Sequence, residues 1–330
     1  MKKIFKNILD FIFPIECVGC GEELHTPSGQ DAGDRHTPNL SQEGKQWLCD
    51  YCFSKIEFNK KQICPLCGRE METGYSCVCT VQMVSSIKYQ VSSYVDVYVT
   101  FVDLKKNPQV AKLIYKLKYN FVEDAAKDLA RIGMEFLKRN WKLDPSDERG
   151  ARIRNLLFNE NVLFVPVPLH RKRLLWRGFN QSEAILREMG REGEQKLEIR
   201  NWKLEIRNDL LIRKKNTFFQ GKSKMAEAGR RENMRGAFEA RRYGAISNFN
   251  PASSAGQISK QFLISNFQFL KRMRVKCDNN SELKDWLFLK NKTIVLFDDV
   301  ITTGATMEEC ARVLKMAGAS RVIAMAVGKG

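Results

Sequence analysis

The stretch from Thr293 to Thr306, TIVLFDDVITTGAT, constrains the fold more than any other part of the chain. Its apolar run Ile294-Val295-Leu296-Phe297 is too short for a helix of its own. Between Lys292 and Asp298 it reads as a strand buried on both faces. Two adjacent carboxylates, Asp298 and Asp299, close the run, followed by a short loop, Thr302-Thr303-Gly304-Ala305-Thr306, and a helix-forming segment from Met307 to Met316. A helix starting at such a loop points unpaired amides at whatever sits above it, and Gly304 lets the backbone come close, so the loop suits a phosphate. The two acids repel that phosphate. They can accept hydrogen bonds from vicinal hydroxyls or help place a divalent metal beside it. A ribose 5-phosphate combines both features and fits best; the plain alternative is an ordinary strand end with an N-capping Thr.

At 330 residues the chain can bury a full α/β core and still carry a smaller module. Its 55 Lys and Arg against 38 Asp and Glu leave a net charge of +17, which favours polyanionic partners, either nucleic acid or phosphorylated small molecules. A basic surface with no nucleic-acid role is the alternative. In the N-terminal MKKIFKNILDFIFPIEC, Lys6, Asn7 and Asp10 interrupt the apolar run and no small-residue cleavage site follows, so an amphipathic helix ended by Pro14 is expected rather than a signal peptide. No stretch approaches the ~20 apolar residues that span a bilayer, and a soluble, cytoplasmic protein is expected.

Eight of the ten cysteines fall between Cys17 and Cys79, in four pairs: Cys17 with Cys20, Cys49 with Cys52, Cys64 with Cys67, and Cys77 with Cys79. Thiolates this close on a tight turn can face one zinc ion, and two such turns complete a tetrahedron. Disulfides are the alternative, disfavoured in a cytoplasmic chain. Two four-thiolate sites are expected, or one intact and one degenerate, with Zn²⁺ supplying folding energy rather than chemistry. Sequential closure through the shorter loops joins Cys17 and Cys20 to Cys49 and Cys52, and Cys64 and Cys67 to Cys77 and Cys79; interleaved pairing is the alternative. His25 and His36, in the polar excursion between Cys20 and Cys49, read as solvated linker residues.

Residues 84–99, rich in Val, Tyr and Ser, read as strand. Val110, Leu113, Ile114 and Leu117 have helical spacing and deliver Lys118-Tyr119 at the helix end, and a second amphipathic helix is expected over Val122 to Leu137. Val162 to Val165 is another buried strand, stopped by Pro166 and Pro168. Beyond it come Arg171, Lys172, Arg173 and Arg177, at the carboxyl edge of a parallel sheet where open α/β folds bind ligands; a solvated or nucleic-acid-facing patch is the alternative. Gly178-Phe179-Asn180-Gln181 opens a helix. The block holding Thr217, Gln220, Arg230, Arg231, Asn233 and Phe238 has the composition of a mobile cover, or of helical surface.

The Asp298 to Thr306 stretch resembles the ribose-phosphate signature of type I phosphoribosyltransferases, whose donor is phosphoribosyl pyrophosphate. The whole order of motifs, from the cysteine pairs through LKY at Leu117 to Tyr119, VPVPLHRKRLLWRGFNQ, the T-x-x-Q and R-x-N-x-x-G-A-F block, and VLFDDVITTGAT, is similar to that of the ComF family. Those competence-type proteins join a zinc ribbon to a phosphoribosyltransferase domain. The resemblance implies an α/β chain of type I phosphoribosyltransferase fold, mostly parallel sheet flanked by helices, over 83–330, behind a zinc-ribbon module over 1–82. It implies Asp298 and Asp299 as the catalytic pair at the ribose hydroxyls, and Thr302, Thr303, Gly304, Ala305 and Thr306 at the 5-phosphate. Lys118, Arg171, Lys172 and Arg173 would hold the diphosphate together with Mg²⁺. It further implies a tie to DNA uptake, with single-stranded DNA and competence-machinery proteins as partners. Phosphoribosyl transfer in nucleotide salvage, without a DNA role, is the second reading. No acceptor-site base is visible.

Basicity, the zinc module and the aromatics Trp47, Phe53, Trp176 and Phe179 near cations such as Arg177 are the features that suit single-stranded DNA. Two segments read as insertions: one near 191–209, containing the repeat KLEIRN-Trp202-KLEIRN, and one near 243–282, where ISNF recurs at Ile246 and Ile264.

Overall fold

The structure is a computed structural model that describes residues 15–24, 46–63, 69–72, 93–141, 161–196, 204–217, 233–241 and 289–330. The N-terminal helix expected before Pro14, the cysteines Cys64, Cys67, Cys77 and Cys79, the residues His25, His36, Gln220, Arg230 and Arg231, and the 243–282 segment lie outside those residues. In chain order the elements are α1 (Asp50–Ser54), β1 (Lys61–Ile63), β2 (Glu70–Glu72), β3 (Val97–Asp103), α2 (Pro108–Tyr119), α3 (Ala125–Trp141), β4 (Val162–Pro166), α4 (Arg171–Arg177), α5 (Gln181–Lys196), β5 (Leu211–Arg213), β6 (Phe238–Ala240), β7 (Thr293–Ile301), α6 (Ala305–Met316) and β8 (Arg321–Lys329).

Mostly apolar runs become the parallel strands β3, β8, β7 and β4, paired in that order. Ile294 to Phe297 and Val322 to Val327 are buried because helices cover both faces. On one face Leu113 and Leu117 of α2, Leu129 and Ile132 of α3, and Ile185 and Leu186 of α5 pack on Phe101, Val295 and Phe297. On the other, Met307, Cys310 and Leu314 of α6 and Phe238 of the antiparallel β5–β6 pair pack on Ile294, Leu296 and Ala324. The α2 helix starts at Pro108, whose missing N–H is harmless in a first turn, and buries all four apolar residues of its stripe.

Three boundaries differ from the sequence expectation for local reasons. Of the strand expected over 84–99, residues 84–92 lie outside the described residues; Ser93 and Tyr94 bond instead to Glu308 of α6, and the strand runs from Val97 to Asp103. The second helix starts at Ala125, after Phe121 has turned the chain with φ 57°. Leu204 to Arg207, in the second repeat copy, form a single parallel bridge alongside β4: Phe164 donates to Glu205 O at 2.9 Å and accepts from Arg207 N–H at 2.8 Å.

β1 and β2 extend the sheet antiparallel beyond β3. Cys17, Leu48, Cys49, Cys52 and Ile56 share one apolar cluster with α2 and α3, so the described part of the cysteine segment leans on the α/β domain. Among the described residues no helix is long and apolar enough to cross a membrane.

Candidate functional site

The pairing of β7 with β8 continues past Phe297 to Ile301 opposite Lys329, so Asp298 and Asp299 sit inside the strand. The pleat sends successive side chains to opposite faces. Asp299 is 2% exposed and meets Lys118 Nζ of α2 at 2.9 Å. Its other oxygen, Oδ2, is buried with no hydrogen-bond partner. Asp298 accepts on Oδ1 the hydroxyl of Ser182 in α5 and the N–H of Asp299, both at 2.9 Å. Burial, reinforced by the neighbouring Asp299 carboxylate, pushes Asp298 up to about 7, against the pull of Lys118 and Ser182. Burial draws the Lys118 ammonium down, but Asp299 and Asp298 outweigh it and the net shift is upward.

The turn after β7 is tighter than the sequence suggested. Thr302, Thr303 and Gly304 form it, while Ala305 and Thr306 already belong to the first turn of α6. Gly304 is the N-cap at φ 74°, with no side-chain cap on the helix, so the first amides of α6 have no local acceptor from that position. A Cβ at Gly304 would stand 2.8 Å from Tyr98 Oη. Glu308, in the first turn, is fully engaged elsewhere: it accepts from Ser93 Oγ at 2.6 Å, Tyr94 N–H at 2.9 Å and Tyr98 Oη at 2.9 Å. Those bonds lock α6 to the segment entering β3.

The basic run divides. His170 caps α4, accepting the Lys172 N–H at 3.2 Å, and Arg171 and Lys172 are exposed. Arg173 instead donates to the Thr217 carbonyl at 2.6 Å, and Arg213, at the end of β5, donates to the hydroxyl of the same Thr217 at 2.6 Å. One threonine therefore anchors two guanidiniums. Burial, then the like charge of Arg173, lowers the Arg213 pKa, while Asp298 acts as a countercharge. Arg177 bonds Gln181 Oε1 at 2.5 Å; burial lowers its pKa, against the fields of Asp299 and Asp298. The Nε atoms of Arg177 and Arg213 are buried without an acceptor. Lys118, Arg173, Arg177 and Arg213 thus gather at the carboxyl edge of β7 around two acids. Ser182 and Arg213 were not singled out from the sequence. Arg213 leaves one local trace, a cation closing the apolar run Leu210 to Ile212.

At the cysteine module, the ligand sulfurs of Cys17, Cys20, Cys49 and Cys52 lie within 4.8 Å of one another, a group that could hold a metal ion such as zinc. Cys17 and Cys49 sulfurs are 3.5 Å apart, and Cys20 and Cys49 3.9 Å. A tetrahedron with metal–sulfur bonds of about 2.3 Å has edges of about 3.8 Å, so the spacing fits. Two four-thiolate sets were expected, and among the described residues one is assembled. The ligands expected for the second, Cys64, Cys67, Cys77 and Cys79, fall outside the described residues. Backbone N–H groups of Gly19 and Cys49 point at Cys17 Sγ, each at 3.4 Å. Burial pushes Cys17 up, but these bonds prevail and bring it down to about 7, whereas burial drives Cys49 up to about 11. Gly19 is required by contact: a Cβ there would stand 2.6 Å from Cys52 Sγ.

The aromatics expected near cations divide as well. Phe179, Trp47 and Phe53 are partly buried against the core, with Lys116 over Trp47 at 3.9 Å and Arg131 over Phe53 at 3.8 Å. Trp176 is 60% exposed and meets Phe121 edge-on at 4.9 Å. Exposed Tyr119, tilted against Tyr115 with ring centroids 4.8 Å apart, lies within the field of Arg177. Comparison of the sequence with protein-family models and with curated proteins found no match.

Proposed function

We propose that this chain is a ComF-like protein of type I phosphoribosyltransferase fold that binds Mg²⁺-phosphoribosyl pyrophosphate and acts in DNA uptake during natural transformation. One observation carries the reading: Asp299, buried and paired with Lys118, and its half-buried neighbour Asp298 stand near the end of β7, shortly before a Gly304 turn into a helix start with no side-chain cap. In this reading the amides of Thr302 to Thr306 receive the 5-phosphate, and Asp298 and Asp299 receive the ribose hydroxyls. Lys118, Arg173, Arg177 and Arg213 face the diphosphate, while Arg171 and Lys172 stay at the exposed rim.

The orphaned atoms support the fit. Asp299 Oδ2 lacks the donor or cation that a hydroxyl or Mg²⁺ would supply, and the Nε–H groups of Arg177 and Arg213 lack the acceptors that phosphate oxygens would supply. Bound Mg²⁺ supplies Lewis-acid neutralisation of the departing diphosphate. The chain's own part is to oppose the positive charge growing on the sugar with Asp298 and Asp299 and to hold the leaving group with its cations. Parallel strands β3-β8-β7-β4, with the site at their carboxyl edge, are the place where open α/β sheets take ligands. Structural Zn²⁺ on Cys17, Cys20, Cys49 and Cys52 leaves no open coordination position for chemistry. Thermal unfolding tests the reading. A stabilising shift is expected only when Mg²⁺ and phosphoribosyl pyrophosphate are both present, and it disappears in Asp298→Asn; a shift that survives that substitution refutes it.

The DNA part of the proposal draws on two pairs of exposed rings, Trp176 with Phe121 and Tyr119 with Tyr115, on which bases would stack, and on exposed Arg171 and Lys172 in the same helix as Trp176. Binding to single-stranded DNA should weaken steeply with salt and with Trp176→Ala. Equal, weak binding to duplex and single strand would leave the salvage reading in its place.

A further inference from the structure

The cysteine module and the acid pair are joined by α2, which the module grips at both ends. At the start of the helix, the N-cap Asn107 is fully buried. Its Oδ1 accepts the Glu57 N–H at 2.9 Å, and its Nδ2 donates to the Glu57 carbonyl at 3.1 Å and the Asp103 carbonyl at 2.8 Å. Glu57 follows α1, the helix that Cys49 caps and that contains Cys52. At the far end Lys116 lies 3.9 Å over the ring of Trp47, two residues before Cys49. Between these grips, Leu48, Cys49, Cys52 and Ile56 share a core with Val110, Leu113, Ile114 and Leu117. Trp47 is itself pinned, its N–H donating to Asp128 Oδ2 at 2.8 Å and its carbonyl accepting from Val18 at 2.9 Å. One helical step beyond Lys116 and Leu117 stands Lys118, 2.9 Å from Asp299.

We infer that the four-cysteine module positions Lys118, so that metal on the thiolates and a Mg²⁺-diphosphosugar at the acid pair bind cooperatively, with Trp47 and Asn107 as positioning residues. This rests on the ligand reading proposed above. Without a cation, the sulfur cluster that ties Cys49 and Cys52 to Cys17 and Cys20 loses its bond centre, and residues 46–57 lose that restraint. A helix transmits displacement along its axis as a rod, because every turn is hydrogen-bonded to the next. The shift of Trp47 and Glu57 therefore reaches Lys118, and the ammonium leaves the place where it balances Asp299 and would face the diphosphate.

The test uses the full chain, metal-loaded and metal-stripped, with Mg²⁺ and phosphoribosyl pyrophosphate as the calorimetric probe. Stripping should weaken probe affinity about tenfold, within the usual range of coupled sites. Linkage requires the reverse as well: saturating probe should raise the thiolate metal affinity, measured by chelator competition, by the same factor. Trp47→Leu and Lys116→Met leave all cysteines in place. They should keep full metal content yet lower probe affinity about fivefold, and metal stripping should then add less than in the wild type. If the stripped chain unfolds, these two variants decide the matter, since unchanged probe affinity in both overturns the coupling. Equal affinity in stripped and loaded folded wild type overturns it too. Absence of any probe binding to the loaded wild type instead removes the ligand reading and the coupling with it.

Discussion

Replacing Lys118 with Met keeps the length and apolar stem of the side chain and deletes the ammonium. Asp299 is then left as a buried carboxylate whose Oδ2 already lacks a partner. Removing one member of a buried ion pair costs about 3–5 kcal/mol. Lys118 keeps 21% of its side-chain surface exposed, so water screens part of that, and about 2–4 kcal/mol is expected. For a chain of this size the loss lowers Tm by roughly 4–10 °C. Asp298, half-buried beside Asp299, adds like-charge repulsion to the variant, so Mg²⁺ alone should restore Lys118→Met more than it stabilises the wild type. The double substitution Lys118→Met with Asp299→Asn removes both charges and should recover most of the loss, a positive coupling in the mutant cycle. Urea unfolding with and without Mg²⁺ measures all of these. A Lys118→Met chain within about 0.5 kcal/mol of wild type would refute the claim that Asp299 is a buried, paired carboxylate.

Gly304→Ala places a Cβ at φ 74°, 2.8 Å from Tyr98 Oη. It should cost about 1–2 kcal/mol in backbone strain and abolish the ligand-dependent thermal shift. Arg213→Gln should lower affinity for inorganic pyrophosphate at least about fivefold while leaving ribose 5-phosphate binding unchanged in calorimetry, as charge-assisted bonds to one group predict. The folded-state pKa of Asp298, about 7, lies above its ordinary 3.8, so between those values the folded chain holds a proton that the unfolded chain has lost. Its contribution to stability is therefore present below the ordinary value and is lost as pH rises through about 7. Ligand affinity runs the other way, falling as pH drops from about 8 to about 6, because the Mg²⁺ and hydroxyl contacts need the ionised acid. Asp298→Asn should flatten the stability profile.

β4 and the first half of β7 were legible because each is a short apolar run ended by Pro or Asp, and α2 because its stripe has helical spacing; β8 was not read from the sequence, and only Val97 to Val99 of β3 fall within the strand expected over 84–99. The nearness of Cys17 and Cys20 to Cys49 and Cys52 followed from spacing and loop closure. The sequence did not show that β7 would run on through Asp298 and Asp299. That depends on the length of β8, which supplies partners as far as Lys329. The gathering of Arg213 and Ser182 at the acids arises from the packing of β5 and α5, contacts far apart in sequence that no local pattern encodes. Phe179 and Trp176, three residues apart in one basic run, looked alike as stacking rings. The left-handed turn at Gly178 separates them, leaving Phe179 against the core and Trp176 outside.

Diffraction from crystals grown with Mg²⁺ and phosphoribosyl pyrophosphate bears most directly on the proposed function. Density for the 5-phosphate is expected over the amides of Thr302 to Thr306, with ribose hydroxyls at Asp298 and Asp299 and the diphosphate toward Lys118 and Arg213. A ligand bound elsewhere at full occupancy, with Lys118 still paired to Asp299 and the Gly304 turn bare, would contradict it.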